Sequence, residues 1–390
     1  MVVGCGSGAQ TDAARSFDTV SAPTSPTSHT TPPETTATHD PNRSGPVQDA
    51  LAPCTDDPPY TVSPIQLDQL HSISPLGSPN PLPEDHIYFL INRSNPDPNA
   101  QVDVVDVVSP GDVTVYQLGR QIRTVDGKVD FTDYYFSFSP CRELSATFGH
   151  VSTLEGPLAG IEFPHCDAPY SVGDGGMYEH CTAEVKIEVK TGQRIATAGG
   201  IRSAALDFAS ADRRIPAPYV ANPNHLYALT AACAIDYYQE PVRSQLQALV
   251  GDGQVNGRHV PKGCGTIFQD VKGTLQGNWF YGTPSQANYD PTRQLALLHD
   301  NFDPSMDLIA MGGTVAGRSM GSFAPTHEGV VHREFSEVVP SDLVYCYPSF
   351  GGGGGRVLMQ LVSDTEMRIE AQAGECSAGL AFVNPFSYQR

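Results

Sequence analysis

Thirty-seven glycines and 33 prolines are spread along the 390 residues of this chain. Each interrupts a helix, because proline lacks the amide donor and glycine carries the largest backbone entropy. What lies between the breaks is short and rich in β-branched and aromatic residues, and only 17% of the chain is charged. That pattern predicts a mainly β protein of short strands and many turns. The length exceeds what one hydrophobic core ordinarily organises. The expectation is therefore two β domains, each a barrel or sandwich, with one short helix between them.

Nine cysteines bear on the compartment. Setting aside Cys5 leaves an even set, Cys54, Cys141, Cys166, Cys181, Cys233, Cys264, Cys346 and Cys376, and none of them forms a CxxC pair. This argues against zinc ribbons and redox motifs and for structural disulfides in an oxidising compartment. Proximity suggests Cys166–Cys181, Cys233–Cys264 and Cys346–Cys376, which leaves Cys54 with Cys141. A formal charge of −20 disfavours nucleic acid and anionic membrane surfaces as partners. A cationic group or a divalent metal would suit it, although acidity also simply keeps an exported protein soluble.

The first residues, Met1-Val2-Val3-Gly4-Cys5-Gly6-Ser7, resemble the end of a bacterial lipoprotein signal. The resemblance implies a lipidated Cys5 and a protein anchored at the bacterial cell surface, or secreted; the competing reading is an incidental free cysteine. Residues 11–57 are dominated by Thr, Ser, Pro, Ala and Asp, as in Ser21-Ala22-Pro23-Thr24-Ser25-Pro26. Such a segment buries too little apolar surface to offset its ordering entropy, so it reads as a disordered tether stiffened by proline. No run of 18 apolar residues follows it.

A first β unit is expected over residues 58–220, with strand-like stretches at 86–91, 102–105, 113–118, 134–138 and 184–189. A connector over 221–272 holds the clearest helix, Glu240 to Gly251, with Pro241 at its first position and a terminal glycine. A second antiparallel β unit is expected over 273–390, with eight strands near 275–280, 294–299, 308–312, 333–338, 343–347, 356–362, 366–371 and 380–384. Within it Gly277-Asn278-Trp279 looks like the Gly-x-Trp opening of lipocalin barrels, although Trp279 reads equally as the largest core residue of a β unit. Gly317-Arg318-Ser319-Met320-Gly321 fits Gly-x-Ser-x-Gly but lacks the helix that a nucleophile elbow requires, and is expected to be a loop. Gly351 to Gly355 lacks the Lys-Ser/Thr of a phosphate loop and reads as a hairpin connection. His299, Asp300, Asn301, Asp303 and Asp307 cluster oxygen donors suited to calcium, at spacings that miss the EF-hand pattern.

Four segments of the first unit carry a family resemblance. Ser109-Pro110-Gly111-Asp112-Val113-Thr114-Val115 is similar to an "apolar strand, Pro-x-Gly, Val-Thr" segment, and Phe148-Gly149-His150-Val151-Ser152 to an aromatic-x-His-aliphatic-Ser element. Lys190-Thr191-Gly192-Gln193-Arg194-Ile195 is similar to a Lys-x-Gly-Gln-x-Ile turn, and Ala205-Leu206-Asp207-Phe208 falls where His-x-His-Phe is expected. In this order, over residues 62–212, they resemble the lysostaphin-type zinc peptidoglycan endopeptidases. The resemblance implies a peptidase-like β barrel. Carried over residue by residue, Asn80 stands for a histidine zinc ligand, Asp85 for the aspartate ligand and Asp207 for the second histidine ligand. Ala205 stands for one catalytic histidine and His150 for the other.

One amide and two carboxylates hold zinc weakly, so no activated zinc water is expected. The reading that follows is a non-catalytic surface lipoprotein without a cofactor, contacting peptidoglycan or another envelope component. His150 is then a cleft residue, a retained general base or a hydrogen-bonded core histidine. The oxygen donors of Asn80, Asp85 and Asp207 suit calcium, a weaker alternative alongside zinc, while Asp85 reads more simply as a turn or capping residue after proline. Two further readings stay open: a metal-dependent endopeptidase using Asp85, Asp207, His86 or His150, and a purely structural surface protein.

Overall fold

The computed structural model describes residues 45–95, 102–171, 175–200, 204–223, 229–251, 264–282, 290–351 and 355–390. The described residues belong to one compact unit. Two antiparallel sheets make it up, one of them nearly barrel-shaped. Cys5 and the tether up to residue 44 lie outside the described residues.

Ten strands form the first sheet: β1 (Leu70–Ser74), β2 (His86–Ile91), β3 (Val105–Val108), β4 (Val113–Val125), β5 (Lys128–Ser139), β6 (Leu144–Leu154), β7 (His165–Cys166), β8 (Met177–Val189), β9 (Arg194–Ala198) and β10 (Ala205–Asp212). Their order is β1-β2-β10-β6-β5-β4-β8-β7, with β9 pairing both β6 and β3. The period-2 pattern of a strand decides which side chains meet the core. On β2, Ile87, Phe89 and Ile91 are buried while His86 and Tyr88 alternate with them; on β10, Leu206 and Phe208 are buried and Asp207 is not. Phe208 anchors the core, with ring centroids 4.7 Å from Phe148 and 5.9 Å from Tyr60.

The second sheet has the order β14-β13-β12-β11-β18-β17-β16-β15, built from β11 (Gly277–Tyr281), β12 (Gln294–His299), β13 (Asp307–Met311), β14 (Ser319–Phe323), β15 (Tyr345–Pro348), β16 (Arg356–Ser363), β17 (Glu366–Gln372) and β18 (Phe386–Gln389). Its own core contains Trp279, Phe335, Tyr347, Met359 and Ile369. Trp279 is fully buried, donates from Nε1 to the Leu275 carbonyl at 2.8 Å and carries the Arg390 guanidinium 4.3 Å above its ring. A smaller apolar cluster seats Leu82, from the β1–β2 connection, among Phe280, Ala296, Leu298, Leu308 and Ala310 of the second sheet.

Several local expectations need correction. Residues 333–338 are not a strand: Phe335–Glu337 form a 3₁₀ turn, because the Phe335 amide donates to the Asp307 carboxylate rather than to a ladder. Residues 380–384 are irregular, and the last strand is β18. The segment read as a loop at 317–321 contributes β14, which pairs with β13 along Ser319–Phe323. The central helix is shorter than expected, α2 (Val242–Gln247), and a further one-turn helix, α1 (Pro46–Asp49), lies inside the segment read as tether. Gln48 of α1 is buried and donates to Ser139 Oγ at 3.3 Å, so the chain joins the fold well before residue 57.

Four disulfides close: Cys54–Cys141, Cys166–Cys181, Cys233–Cys264 and Cys346–Cys376. Three are the pairs that proximity along the chain suggests, and Cys54–Cys141 is the pair left over. Four such bonds suit an oxidising, extracytoplasmic environment. Among the described residues, no helix is long and apolar enough to cross a membrane.

Candidate functional site

On the face of the first sheet opposite Phe208, four adjacent strands place imidazoles and carboxylates in one row. The register brings Tyr88 of β2 opposite Asp207 of β10, and Asp207 opposite Gly149 of β6. On β6 the ladder slips between Val151 and Phe148, so that Gly149 and His150 together oppose Tyr135 alone. This is a β-bulge, which re-aims a side chain at the cost of local strain. The strain is visible at His150, whose φ of 57° lies in the left-handed region, a conformation costing a non-glycine residue roughly 1–3 kcal/mol. Glycine suits position 149 beside it, because a Cβ there would stand 3.1 Å from Asp207 Oδ2, a contact from which the carboxylate would have to give way.

The bulge turns His150 between two acids. Its Nδ1 lies 2.8 Å from Asp133 Oδ2, and its Nε2 lies 3.4 Å from Asp207 Oδ2. From the other side His86 Nε2 approaches the same Asp207 oxygen at 3.7 Å, while His86 Nδ1 lies 3.1 Å from Asp85 Oδ1. Glu84 closes the row: His86 Nε2 is 4.0 Å from Glu84 Oε2, which accepts a short hydrogen bond from the Tyr88 hydroxyl. Asn80 Nδ2 donates to Glu84 Oε1 at 2.8 Å and Asn80 Oδ1 accepts from Arg318 of the second sheet.

The electrostatics follow from this row. Burial opposes a charge on His86, but the hydrogen bond with Asp85 and the carboxylates of Asp207, Asp85 and Glu84 lift its pKa to about 9. Burial likewise works against His150, and Asp133 and Asp207 override it and raise the pKa. For Asp207 burial wins over both imidazoles and pushes the carboxyl up to about 6. At neutral pH the centre of the row is thus an ionised Asp207 held beside a protonated His86.

No family model matches the chain, and neither a curated protein nor a solved structure matches it. What the site can do therefore follows from its own geometry.

Of the residues singled out in sequence, Asp85, His86, His150 and Asp207 come together, whereas Asn80 reaches them only through Glu84. Ala205 is buried, and its methyl side chain offers no ligating atom. Metal ligation needs three donors around one point, and no three of Asp85, His86, His150 and Asp207 are among the groups whose ligand atoms lie within 4.8 Å of one another. Instead both imidazoles lie at ion-pair distance from the Asp207 carboxylate. Asp133 Oδ1 and Asp207 Oδ1 are buried and accept no hydrogen bond.

Sequence reading missed Glu84, Tyr88 and Asp133. The alternation Glu84-x-His86-x-Tyr88 is a signal for the first two, because period 2 sets polar side chains on one face of a strand. Asp133 reaches His150 only through the β5–β6 register, which a single sequence does not disclose.

Proposed function

We propose that the protein is a non-catalytic, extracytoplasmic binding protein, lipid-anchored at the bacterial cell surface through Cys5. Its peptidase-like first unit holds peptidoglycan or another envelope component without cleaving it. The observation that carries this reading is the state of Asp207: one carboxylate oxygen is shared by His86 and His150, and the other, like one oxygen of Asp133, is buried without a hydrogen bond. Three donor atoms of Asp85, His86, His150 and Asp207 do not converge within 4.8 Å of one another, as the ligands of a zinc ion that polarises water would. Buried acceptors lacking a donor are costly in isolation, and beside them the Asp85 and Glu84 carboxylates, 37% and 21% exposed, are open to a ligand that brings N–H or O–H groups. Peptidoglycan offers both, as amino groups on its peptides and hydroxyls on its sugars. The disulfides support an oxidising compartment, and the −20 charge supports a ligand recognised through donors rather than through phosphates.

Co-sedimentation with purified peptidoglycan tests the reading. The wild-type protein should pellet with sacculi and release no soluble muropeptides, and Asp207→Asn should reduce the bound fraction several-fold while leaving the fold intact by circular dichroism. Failure to pellet would defeat the binding claim. Muropeptide release abolished in His150→Ala would instead favour a peptidase.

A further inference from the structure

A second constellation, in the other sheet, has a different geometry. His299 ends β12 and Asp307 begins β13, and the two face each other as a cross-strand pair. The hairpin loop between them is closed without their side chains. Asp300 accepts from the Phe302 amide at 2.8 Å and from the Ser322 hydroxyl at 2.6 Å, and Asp303 accepts from the Ser305 hydroxyl at 2.6 Å. Asp300 and Asp303, two members of the oxygen-donor cluster noted in the sequence, thus cap turns and the neighbouring strand. Glu334, 27 residues further along the chain, enters from outside the hairpin and completes the group: His299 Nε2 lies 2.9 Å from Glu334 Oε1 and 3.6 Å from Asp307 Oδ1.

We propose that His299 Nε2, Asp307 Oδ1 and Glu334 Oε1 bind one divalent transition cation of the zinc type. All three donor atoms lie within 4.8 Å of one another. Bonds of about 2.0–2.2 Å around a tetrahedral ion put ligand atoms roughly 3.3 Å apart, and the spacings of 2.9 and 3.6 Å bracket that value. Burial supplies the second argument. The Asp307 side chain is 0% exposed and its Oδ1, aimed at His299 Nε2, accepts no hydrogen bond, while the Glu334 side chain beside it is only 9% exposed. Two buried carboxyls side by side need either a shared proton or a cation between them, and a bound ion would take the proton's place.

Each ligand is held by a partner of its own. Gln269 clamps the His299 backbone, its Oε1 accepting from the amide at 2.8 Å and its Nε2 donating to the carbonyl at 3.1 Å. The Phe335 amide donates to Asp307 Oδ2 at 3.3 Å, leaving Oδ1 for the ion. Ser336 donates to Glu334 Oε1 from its amide and its hydroxyl, at 3.3 and 3.2 Å. Such outer contacts set ligand orientation. The donor chemistry selects the ion: one imidazole with two carboxylates suits zinc or manganese, whereas calcium takes six to eight oxygens. With three protein ligands and His299 partly exposed at 37%, the fourth position faces solvent, as in open rather than purely structural sites.

The experiment uses the full chain, stripped with a chelator, dialysed and titrated with Zn²⁺, Mn²⁺ and Ca²⁺ by calorimetry. Metal content is measured in parallel by mass spectrometry. Wild type should take up one equivalent of Zn²⁺ and gain thermal stability from it. His299→Ala and Asp307→Asn should each weaken binding by at least about 100-fold, while His327→Ala, at an exposed histidine paired with Glu337, should bind as wild type does. His299→Ala removes the most exposed of the three ligands, so its fold, checked by circular dichroism without metal, is expected to persist even if Asp307→Asn fails to fold. No stoichiometric Zn²⁺ uptake by the wild type, or uptake undiminished in a folded His299→Ala, overturns the proposal.

Discussion

At the scale of single residues, the row from Asp133 to Asp85 couples stability to pH. His86 has a folded pKa of about 9 against an ordinary 6.5. A histidine whose pKa rises on folding contributes stability that is complete below the unfolded value and is lost as pH climbs through the folded one. Its side chain is only 20% exposed, so the loss between pH 6.5 and 9 is on the order of 3 kcal/mol. Asp207 has the same sign in a lower window: its pKa rises from 3.8 to about 6, so stability falls as pH passes from 4 to 6. His150, also raised, adds to the alkaline loss. Urea midpoints at pH 6 and pH 9.5 check this. The wild type should be clearly weaker at the higher pH, and His86→Gln should flatten the difference. An equal drop in both proteins would mean that His86 is not the titrating group.

At the scale of elements, strands with strict alternation were legible and those held by side chains were not. β2 and β12 run over the expected 86–91 and 294–299, because each alternates or packs apolar residues along its whole length. β14 was hidden: Gly321 and its neighbours read as loop, yet a strand bonded on one side only needs little apolar content. Gly321 has a reason to be there, since a Cβ would stand 2.2 Å from the Phe350 ring. The opposite error arose at 333–338, where Asp307 captures the Phe335 amide. Sites followed the same division. Asp207 and His150 were accessible through short motifs, whereas Glu334 and Asp133 meet their histidines only through pairings distant in sequence.

The amino-terminal junction belongs to this scale as well. Residues 45–57 hold to the β5–β6 turn through Cys54–Cys141, through the Cys54 amide donating to Glu143 Oε2 at 2.7 Å, and through the Arg142 amide donating to the Ala52 carbonyl at 2.9 Å. The bond spans a sequence separation of 87, and loop entropy gives such a closure roughly 4 kcal/mol. Replacing both cysteines by serine should lower stability by about that much in urea unfolding and expose the segment to limited proteolysis near residues 50–57. Unchanged stability together with an unchanged cleavage pattern would show that the hydrogen bonds alone hold the junction.

At the scale of the whole molecule, the first sheet's core and the second sheet's core are separate clusters, joined by Leu82 in its apolar seat. Polar links accompany it: Asn301 Nδ2 donates to the Gly77 carbonyl at 3.0 Å, and Arg318 donates to Asn80. Whether such links make the two cores unfold together or apart is a question of cooperativity. The staples are also unequal. Cys54–Cys141, Cys166–Cys181 and Cys233–Cys264 brace the first sheet and its connector, and Cys346–Cys376 alone braces the second. The one tryptophan of the chain, Trp279, is buried in the second core. Its fluorescence therefore reports that half alone, while far-ultraviolet circular dichroism reports both. The two probes should give non-coincident urea transitions, and a reductant should lower the dichroism midpoint more than the fluorescence midpoint. Superimposable curves with and without reductant would mean that the Leu82 contact welds both sheets into a single cooperative unit, stronger than its few side chains can account for.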